Sequence, residues 1–153
     1  MERDSPRATT ESPLPLVLFV CVENSNRSQM AEAFARMHGA DVVEAFSAGS
    51  RPSGAVNPRA IEAMRDRGYD LTRHRSKSLH DVPPGPYAVV VTMGCGDACP
   101  WIPAARREDW DLPDPKDMAP DALRAVRDDI EQRVLALLRE LRSRRTSSNA
   151  GAA

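Results

Sequence analysis

Several features that define other classes of protein are scarce in this chain. Its 153 residues include three cysteines and 5% aromatic residues, and the formal net charge is −1. So few cysteines do not make a disulfide-rich secreted scaffold, and a balanced charge provides no basic surface for nucleic acid or an anionic membrane. The uncharged apolar runs, such as residues 14–22, fall short of the ~20 residues of a membrane span, and no signal-peptide pattern opens the chain. We therefore expect one soluble, cytoplasmic domain.

Both ends of the chain lack hydrophobic periodicity. Residues 1–15 contain three prolines with several Ser and Thr, and residues 143–153 have no apolar pattern either. This composition predicts disordered tails on either side of a single domain at residues 16–142.

Within that domain, strand patterns alternate with helix patterns. Short β-branched and apolar runs indicate buried strands, and apolar residues at three- and four-residue spacing, as in Met30, Ala33, Phe34 and Met37, indicate helices. The predicted strands are residues 16–21, 42–48 and 88–92, with a short one near Trp110; the predicted helices are residues 29–38 ending at Gly39, 58–67 capped by Asn57, and 121–141. The alternation predicts an α/β fold, a three-layer sandwich with a mostly parallel sheet, whose ligand site lies beyond the carboxyl ends of the strands.

A cysteine and an arginine flank the loop that follows the first strand. Cys21 ends the strand, and Arg27 comes six residues later at the start of a helix. The backbone N–H groups of such a loop can surround a tetrahedral oxyanion, while the helix N terminus and the guanidinium add positive potential. The same field favours the thiolate of Cys21, to which Ser28 can donate a hydrogen bond, and makes it a nucleophile. The spacing predicts a phosphate or arsenate site; the structural alternative is a buried strand-end cysteine near a solvated arginine.

Four further segments carry a resemblance to a known family. They are residues 19–33, SAG at Ser47–Gly49, NPRAIEAM at Asn57–Met64 and HRSK at His74–Lys77. Together they resemble the arsenate reductase branch of the low-molecular-weight tyrosine phosphatase superfamily. The resemblance implies a four-stranded parallel sheet in flavodoxin-like order and a substrate-binding anion loop made of Cys21, Val22, Glu23, Asn24, Ser25, Asn26 and Arg27, followed by Ser28.

The same resemblance implies a general acid in an Asp-Pro pair on a late loop. Asp114, followed by Pro115, occupies that place. Asp111, Asp117 and Asp121 are nearby competitors, and we interpret Asp121 as the cap of the last helix.

The remaining two cysteines distinguish a reductase from a phosphatase. Hydrolysis through a phosphocysteine needs one thiol, whereas reduction of arsenate needs the two electrons released when two thiols form a disulfide. The resemblance implies that Cys95 attacks the Cys21–arsenic intermediate and that Cys99, followed by Pro100, then forms the exported Cys95–Cys99 disulfide. Thioredoxin or a similar dithiol protein would reduce this disulfide, with a low-molecular-weight thiol as the alternative and no cofactor. The other interpretations of the pair are packing cysteines and a zinc site, although structural zinc prefers a C-x2-C spacing.

The anion loop and the Asp-Pro loop contain departures from the family pattern. Asn26 stands where a second loop cysteine is common, which leaves Cys95 as the resolving thiol. Glu23 replaces a usual glycine, and we expect its side chain to face solvent. Lys116 stands where phosphatases tend to carry an aromatic residue.

The expected function is therefore reduction of arsenate to arsenite for arsenic detoxification. Two other functions stay open. One is a low-molecular-weight protein tyrosine phosphatase or small phosphoester phosphatase that uses Cys21, Arg27 and Asp114. The other is a non-catalytic oxyanion-binding or redox-sensing module.

The resemblance also concerns a cation site. In several arsenate reductases of this branch, an acidic residue at the end of the HxSx segment joins an Asn, a Glu and a Ser to bind potassium. Asn24, Glu32 and Ser47 match three of these positions, but the fourth is Lys77. We expect the Lys77 ammonium to replace the diffusible cation; the alternative is an exposed lysine beside an empty site.

Overall fold

The structure, a computed structural model, describes residues 14–94 and 101–152. Its centre is one four-stranded, all-parallel sheet in the order β2-β1-β3-β4. The strands are β1 (Leu16–Cys21), β2 (Glu44–Gly49), β3 (Tyr87–Thr92) and β4 (Ala104–Asp109). The predicted α/β class and flavodoxin-like strand order are confirmed.

Three α-helices accompany the sheet: α1 (Arg27–Gly39), α2 (Pro58–Arg65) and α3 (Pro120–Ala152). All three pack against the face that carries Val17, Phe19 and Val91. The opposite face carries Leu18 and Val20 and is covered by partly buried residues that include Leu79, Val82 and Ile102. Strand β1 is therefore buried on both faces, which explains its uninterrupted apolar sequence.

The boundaries of α1 differ from those predicted. The helix begins at Arg27 and includes Gly39, whereas residues 29–38 were expected with Gly39 as the stop. A Cβ atom at position 39 would lie 2.5 Å from Leu138 Cδ2, so this glycine lets α3 approach and does not terminate the helix. Met37, expected on the apolar face, is 37% exposed.

The last helix also differs from the prediction. It begins at Pro120, which puts Asp121 inside the first turn and not at the cap. It continues to Ala152, so the disorder expected over residues 143–153 is corrected for residues 143–152. No Pro or Gly interrupts residues 121–150, and adding a residue to an existing helix gains a hydrogen bond without a new nucleation cost. Residues 1–13 of the predicted N-terminal tail lie outside the described residues.

The remaining elements shift by a few residues. Strand β2 starts at Glu44 and not at Val42, since the N–H groups of Val42 and Val43 bond back to the carbonyl of Gly39. Helix α2 ends at Arg65, two residues before the predicted end. The short strand expected near Trp110 is β4, which stops at Asp109. Within the described ranges, no helix combines the length and apolar character needed to cross a membrane.

Candidate active site

A cavity of about 400 Å³ opens beyond the carboxyl ends of β1 and β3. This position is the usual ligand site of an open parallel α/β sheet. One side is lined by Cys21, Val22, Glu23, Ser25, Asn26 and Arg27, and the other by Gly94, Leu112, Asp114 and Lys116. Asn24 and Ser28, which the sequence also assigned to substrate binding, lie behind this lining and are completely buried.

The carbonyl groups of residues 22–26 in the anion loop are turned away from the cavity. Each accepts a hydrogen bond from a group that does not line it. The donors are, in order, the N–H of Arg51, the N–H of Ser53 together with Ser76 Oγ, Gln29 Nε2, the N–H of Asn57, and the N–H of Met30. Because a planar trans peptide directs its N–H opposite to its C=O, the N–H groups of residues 23–27 face the cavity. The loop is thus a ring of donors suited to a tetrahedral anion.

Close backbone contact with β2 holds the start of the loop. A Cβ atom at Gly49 would lie 2.6 Å from the carbonyl oxygen of Val22 and 3.0 Å from the backbone N of Asn24. Only glycine permits this approach, since both contacts are with backbone that cannot rotate away. The last residue of the SAG motif therefore shapes the anion loop.

The thiol of Cys21 is hydrogen-bonded to a serine hydroxyl that Asn24 also contacts. Cys21 is 3% exposed, and its Sγ lies 2.8 Å from Ser28 Oγ. Asn24 Nδ2 donates to the same hydroxyl at 2.8 Å. A hydroxyl oxygen that accepts from Asn24 can still donate its own hydrogen, so Ser28 is able to donate to the sulfur.

Arg27 lines the cavity and connects its two walls. The side chain is buried, and Nη1 donates to the carbonyl of Leu112 at 3.1 Å. Its Nε is buried and has no hydrogen-bond partner within the part of the chain that is described. Gly94 makes room for the guanidinium, because a Cβ there would lie 2.6 Å from Nη1. The guanidinium is thus held at the cavity with donor capacity left for an anion.

Of the four candidate aspartates, Asp114 is the one that lines the cavity. It is exposed, and its Oδ1 accepts from the backbone N–H of Lys116 at 3.0 Å. Asp111 and Asp117 are exposed on either side of it, and Asp121 lies in α3. The structure therefore brings the Cys21 thiol, the Arg27 guanidinium and one of the four candidate aspartates to the same cavity.

A pair of opposite charges stands at the cavity mouth. Lys116 Nζ lies 3.7 Å from Glu23 Oε2, and the side chains are 57% and 46% exposed. Glu23 is thus partly solvated, as expected, but it also lines the cavity opposite Lys116. An exposed pair of this kind contributes little to stability.

The four residues of the expected cation-site mimic are neighbours. Lys77 Nζ lies 3.3 Å from Ser47 Oγ and 3.5 Å from Glu32 Oε1, and Ser47 Oγ donates to Glu32 at 2.5 Å. Asn24 Oδ1 accepts from the backbone N–H of Lys77 at 3.0 Å and not from its ammonium. Burial lowers the pKa of Lys77, and the Glu32 carboxylate opposes that shift.

Several residues that build the site had no assigned role at the sequence level. Gln29, His74, Arg75 and Ser76 all bond to the anion loop or to one another. Their signal was present in the QMAE and HRSK motifs, but spacing alone does not reveal which hydrogen bonds they make. Asn26 is nearly buried, and its Oδ1 has no hydrogen-bond partner among the described residues. Cys95 and Cys99 lie outside the described residues.

Comparisons with known proteins agree with this geometry. Residues 16–147 match the family model of low molecular weight phosphotyrosine protein phosphatases. A glutaredoxin arsenate reductase from Synechocystis sp. is 37% identical over 128 residues, covering 82% of this chain and 97% of that protein. A solved arsenate reductase in its phosphate-binding state has a TM-score of 0.77 at 36% identity, covering 84% of this chain and 99% of the other.

A second solved structure adds a relative with a stated reductant. The thioredoxin-dependent arsenate reductase of Corynebacterium glutamicum has a TM-score of 0.70 at 31% identity and covers 89% of this chain and 66% of that one. The family model and these relatives span nearly the whole predicted domain. The chain therefore belongs to the low molecular weight phosphotyrosine protein phosphatase family and, within it, groups with the arsenate reductases.

Proposed function

We propose that this protein reduces arsenate to arsenite and serves in arsenic detoxification. The observation that carries the proposal is the thiol of Cys21 at the base of a loop whose carbonyls all face away from the cavity. Such a loop binds a tetrahedral oxyanion directly against a nucleophile. Its relatives at 36–37% identity are arsenate reductases, which favours arsenate over other oxyanions.

The first step is attack of the Cys21 thiolate on arsenic. A sulfur–arsenic bond forms as one arsenic–oxygen bond breaks, and Asp114 protonates the departing oxygen, which leaves as water. The loop N–H groups and the Arg27 guanidinium hold the remaining oxygens and stabilise their charge. The position of Asp114 on the cavity lining supports its role as the acid.

Two thiol exchanges complete the reaction. The Cys95 thiolate attacks Cys21 Sγ, so that a disulfide forms, the sulfur–arsenic bond breaks, and its electron pair remains on arsenic as arsenite leaves. The Cys99 thiolate then attacks the Cys95 sulfur, which releases the Cys21 thiolate and leaves a Cys95–Cys99 disulfide. Three thiols are needed, and the chain has three.

The reductant that we propose is thioredoxin or a similar dithiol protein, which supplies two electrons and two protons to the Cys95–Cys99 disulfide. The thioredoxin-dependent relative supports this choice. A relay that begins with free thiols operates in a reducing compartment, and we therefore propose a cytoplasmic location.

The test is arsenate turnover with a thioredoxin system, with the rate measured as oxidation of NADPH. The wild-type protein should turn over repeatedly, and Cys21→Ser should be inactive. Cys99→Ser should release about one arsenite per protein and stop with Cys21 bound to Cys95, because each relay needs the third thiol to free the first. Peptide mapping identifies the bridge. Undiminished turnover by Cys99→Ser contradicts the relay, and turnover with glutaredoxin and glutathione but not thioredoxin contradicts the proposed reductant.

Hydrolysis of an aromatic phosphoester is the competing activity, and the charged mouth of the cavity disfavours it. Glu23 and Lys116 present charges at the cavity mouth, where an aromatic ring would need an apolar wall. Cys95→Ser separates the two activities, since it removes the resolving thiol and leaves the anion loop intact. It should abolish arsenate reduction but not any residual hydrolysis of p-nitrophenyl phosphate. Loss of both activities would indicate a folding role for Cys95, and hydrolysis that exceeds arsenate reduction in the wild type would favour a phosphatase.

For the cation site, we propose that the Lys77 ammonium takes the place of a bound potassium ion. Its contacts with Ser47 and Glu32 support this. Activity and melting temperature should then be equal in potassium and sodium, whereas Lys77→Asp should acquire a requirement for potassium. The control is Lys116→Asp at the exposed mouth, which should acquire none. Potassium-specific stabilisation of the wild-type protein would refute the replacement.

A further inference from the structure

A chain of hydrogen bonds connects Tyr69 with the nucleophile. Tyr69 Oη lies 2.6 Å from His74 Nε2, and His74 Nδ1 lies 2.8 Å from Gln29 Oε1. Gln29 Nε2 donates to Asn24 Oδ1 at 2.8 Å. Asn24 then reaches Cys21 through Ser28, as described above. This series of hydrogen bonds thus joins Tyr69, two residues before the 3-10 helix Leu71–Arg73, to the base of the anion loop.

The surroundings of Gln29 determine the direction of this chain. Its amide nitrogen contacts three acceptors: Asn24 Oδ1, the carbonyl of Asn24 and the carbonyl of Arg75. That end must therefore be the NH2 group, and Oε1 must face His74 as an acceptor. Asn24 is oriented in the same way, because its Oδ1 accepts from both Gln29 and the backbone N–H of Lys77.

The tautomer of His74 follows from the orientation of Gln29. An acceptor at Oε1 requires that Nδ1 carry the hydrogen, which leaves Nε2 as an acceptor for the Tyr69 hydroxyl. Every hydrogen from Tyr69 through His74, Gln29 and Asn24 to Ser28 thus points the same way, and the Ser28 hydroxyl can continue this direction by donating to the sulfur. Hydrogen bonds aligned in one direction polarise and strengthen one another.

We propose that Tyr69 and His74 are positioning residues that stabilise the Cys21 thiolate through this one-directional hydrogen-bond chain. The inference rests on the proposed role of Cys21 as nucleophile. Neither residue lines the cavity, so neither contacts the substrate. Their effect must pass through Gln29, Asn24 and Ser28.

The protonation states of Tyr69 and His74 suit this chain of hydrogen bonds. The pKa of His74 is lowered, chiefly by burial, and the positive charges of Arg36 and Lys77 lower it further. The Glu32 carboxylate, whose Oε1 lies 3.8 Å from His74 Nδ1, opposes this lowering. The ring therefore stays neutral and accepts from Tyr69. The pKa of Tyr69 is raised, first by burial, so its hydroxyl keeps the hydrogen that it donates.

The test follows the thiol itself and not arsenate reduction. The rate of Cys21 alkylation by iodoacetamide is measured against pH in the full-length protein, with mass spectrometry of the Cys21 peptide as the readout. Tyr69→Phe removes one polarising hydrogen bond and should shift the midpoint of the pH–rate profile to higher pH. At pH values below the midpoint, alkylation should then be about twofold slower. His74→Leu removes the donor to Gln29 and should slow it about tenfold. The plateau rate at high pH should not change.

Two further variants distinguish an effect of the hydrogen-bond chain from an effect of packing. His74→Asn keeps an N–H near the position of Nδ1 but does not reach Tyr69; it should restore most of the reactivity lost in His74→Leu, and adding Tyr69→Phe to it should have no further effect. Tyr87→Phe is the matched control, since that hydroxyl donates to the Pro83 carbonyl and its ring packs on the opposite face of the sheet.

Two outcomes would overturn the proposal. One is a Cys21 profile for Tyr69→Phe that coincides with that of Tyr87→Phe. The other is a Tyr69→Phe shift of undiminished size in the His74→Asn background, since the effect would then bypass His74. Tyr69→Phe keeps the ring that packs edge-on against His74 at 5.3 Å between centroids, so it remains informative even if His74→Leu does not fold. A failure of arsenate reduction in the wild type would leave these alkylation profiles unchanged, and so the two proposals fail separately.

Discussion

The two walls of the cavity are built on opposite physical principles. The wall of the anion loop is supported from behind by buried, hydrogen-bonded groups: Asn24 and Ser28 are inaccessible to solvent, and the carbonyls of residues 22–26 accept hydrogen bonds. The facing wall, formed by the loop of residues 112–116, is largely exposed, and the Lys116 ammonium pairs across the cavity mouth with Glu23.

In the mechanism that we propose, this difference separates two tasks. Binding an oxyanion and keeping a thiolate require donors at defined positions, which a buried network supplies because each lost bond leaves an unsatisfied group. Donating a proton and admitting a substrate require contact with water, which an exposed loop supplies. Changes in the buried wall should therefore cost far more than equal changes in the exposed one.

The largest effect is expected from Gly49→Ala. The added Cβ would meet the backbone of Val22 and Asn24, so the loop must shift and several N–H donors lose their alignment. We expect arsenate reduction to fall about a thousandfold, measured as kcat/KM with the thioredoxin system. The control is Gly39→Ala, whose nearest Cβ contacts are with the Leu138 side chain, far from the cavity. It should lower the melting temperature without a comparable loss of activity. Near-normal activity of Gly49→Ala would show that the wall of the anion loop is no more sensitive to substitution than the exposed wall.

Asp114→Asn should have the next largest effect. It removes the proposed proton donor but leaves the buried wall unchanged, so we expect kcat to fall about a hundredfold with little change in stability. Asp111→Asn and Asp117→Asn are matched controls, because these aspartates are exposed on the same loop but do not line the cavity. A control that is as impaired as Asp114→Asn would assign the acid to that aspartate instead.

The buried wall should also link stability to pH through His74. Burial lowers the pKa of His74 from its ordinary value of 6.5, so between the lowered value and 6.5 the unfolded chain binds more protons than the folded protein. The free energy of unfolding should therefore decrease as pH falls below about 6.5. Urea denaturation at pH 7.5 and 5.5 measures this loss, which should be smaller in His74→Asn. His80→Asn, at an exposed position, serves as the control; an equal loss in all three proteins would contradict the link.

The smallest effect is expected from Lys116→Met. Its ion pair with Glu23 is exposed, and such a pair contributes at most about 1 kcal/mol. We therefore expect kcat/KM to change by less than about fivefold and the melting temperature to stay constant. Lys77→Met is the counterpart on the buried wall, where Glu32 would keep Arg36 but lose its lysine partner. It should lower the melting temperature clearly. Equal melting temperatures for the two variants would show that burial does not distinguish the two lysines.

Much of the fold was predictable because its signals are local. A two-residue alternation or an unbroken β-branched run identifies a strand, and apolar spacing identifies a helix, whatever lies elsewhere in the chain. The errors are at the ends of helices and strands, because long-range packing determines where an element begins and ends. Gly39 continues α1 because Leu138 packs against it, and α3 runs past residue 143 because nothing interrupts it.

The sequence by itself determined the strand–loop–helix unit of Cys21 and Arg27, since both residues belong to one short segment. Only the tertiary structure decided what holds that segment in shape. The donors to its carbonyls include Arg51, Ser53, Asn57 and Ser76, which are 29 to 53 residues away from their acceptors and follow no periodic pattern. A hydrogen bond depends on the final position of both partners. These pairings therefore exist only once β1, β2 and the segments that follow β2 have been assembled around the same cavity.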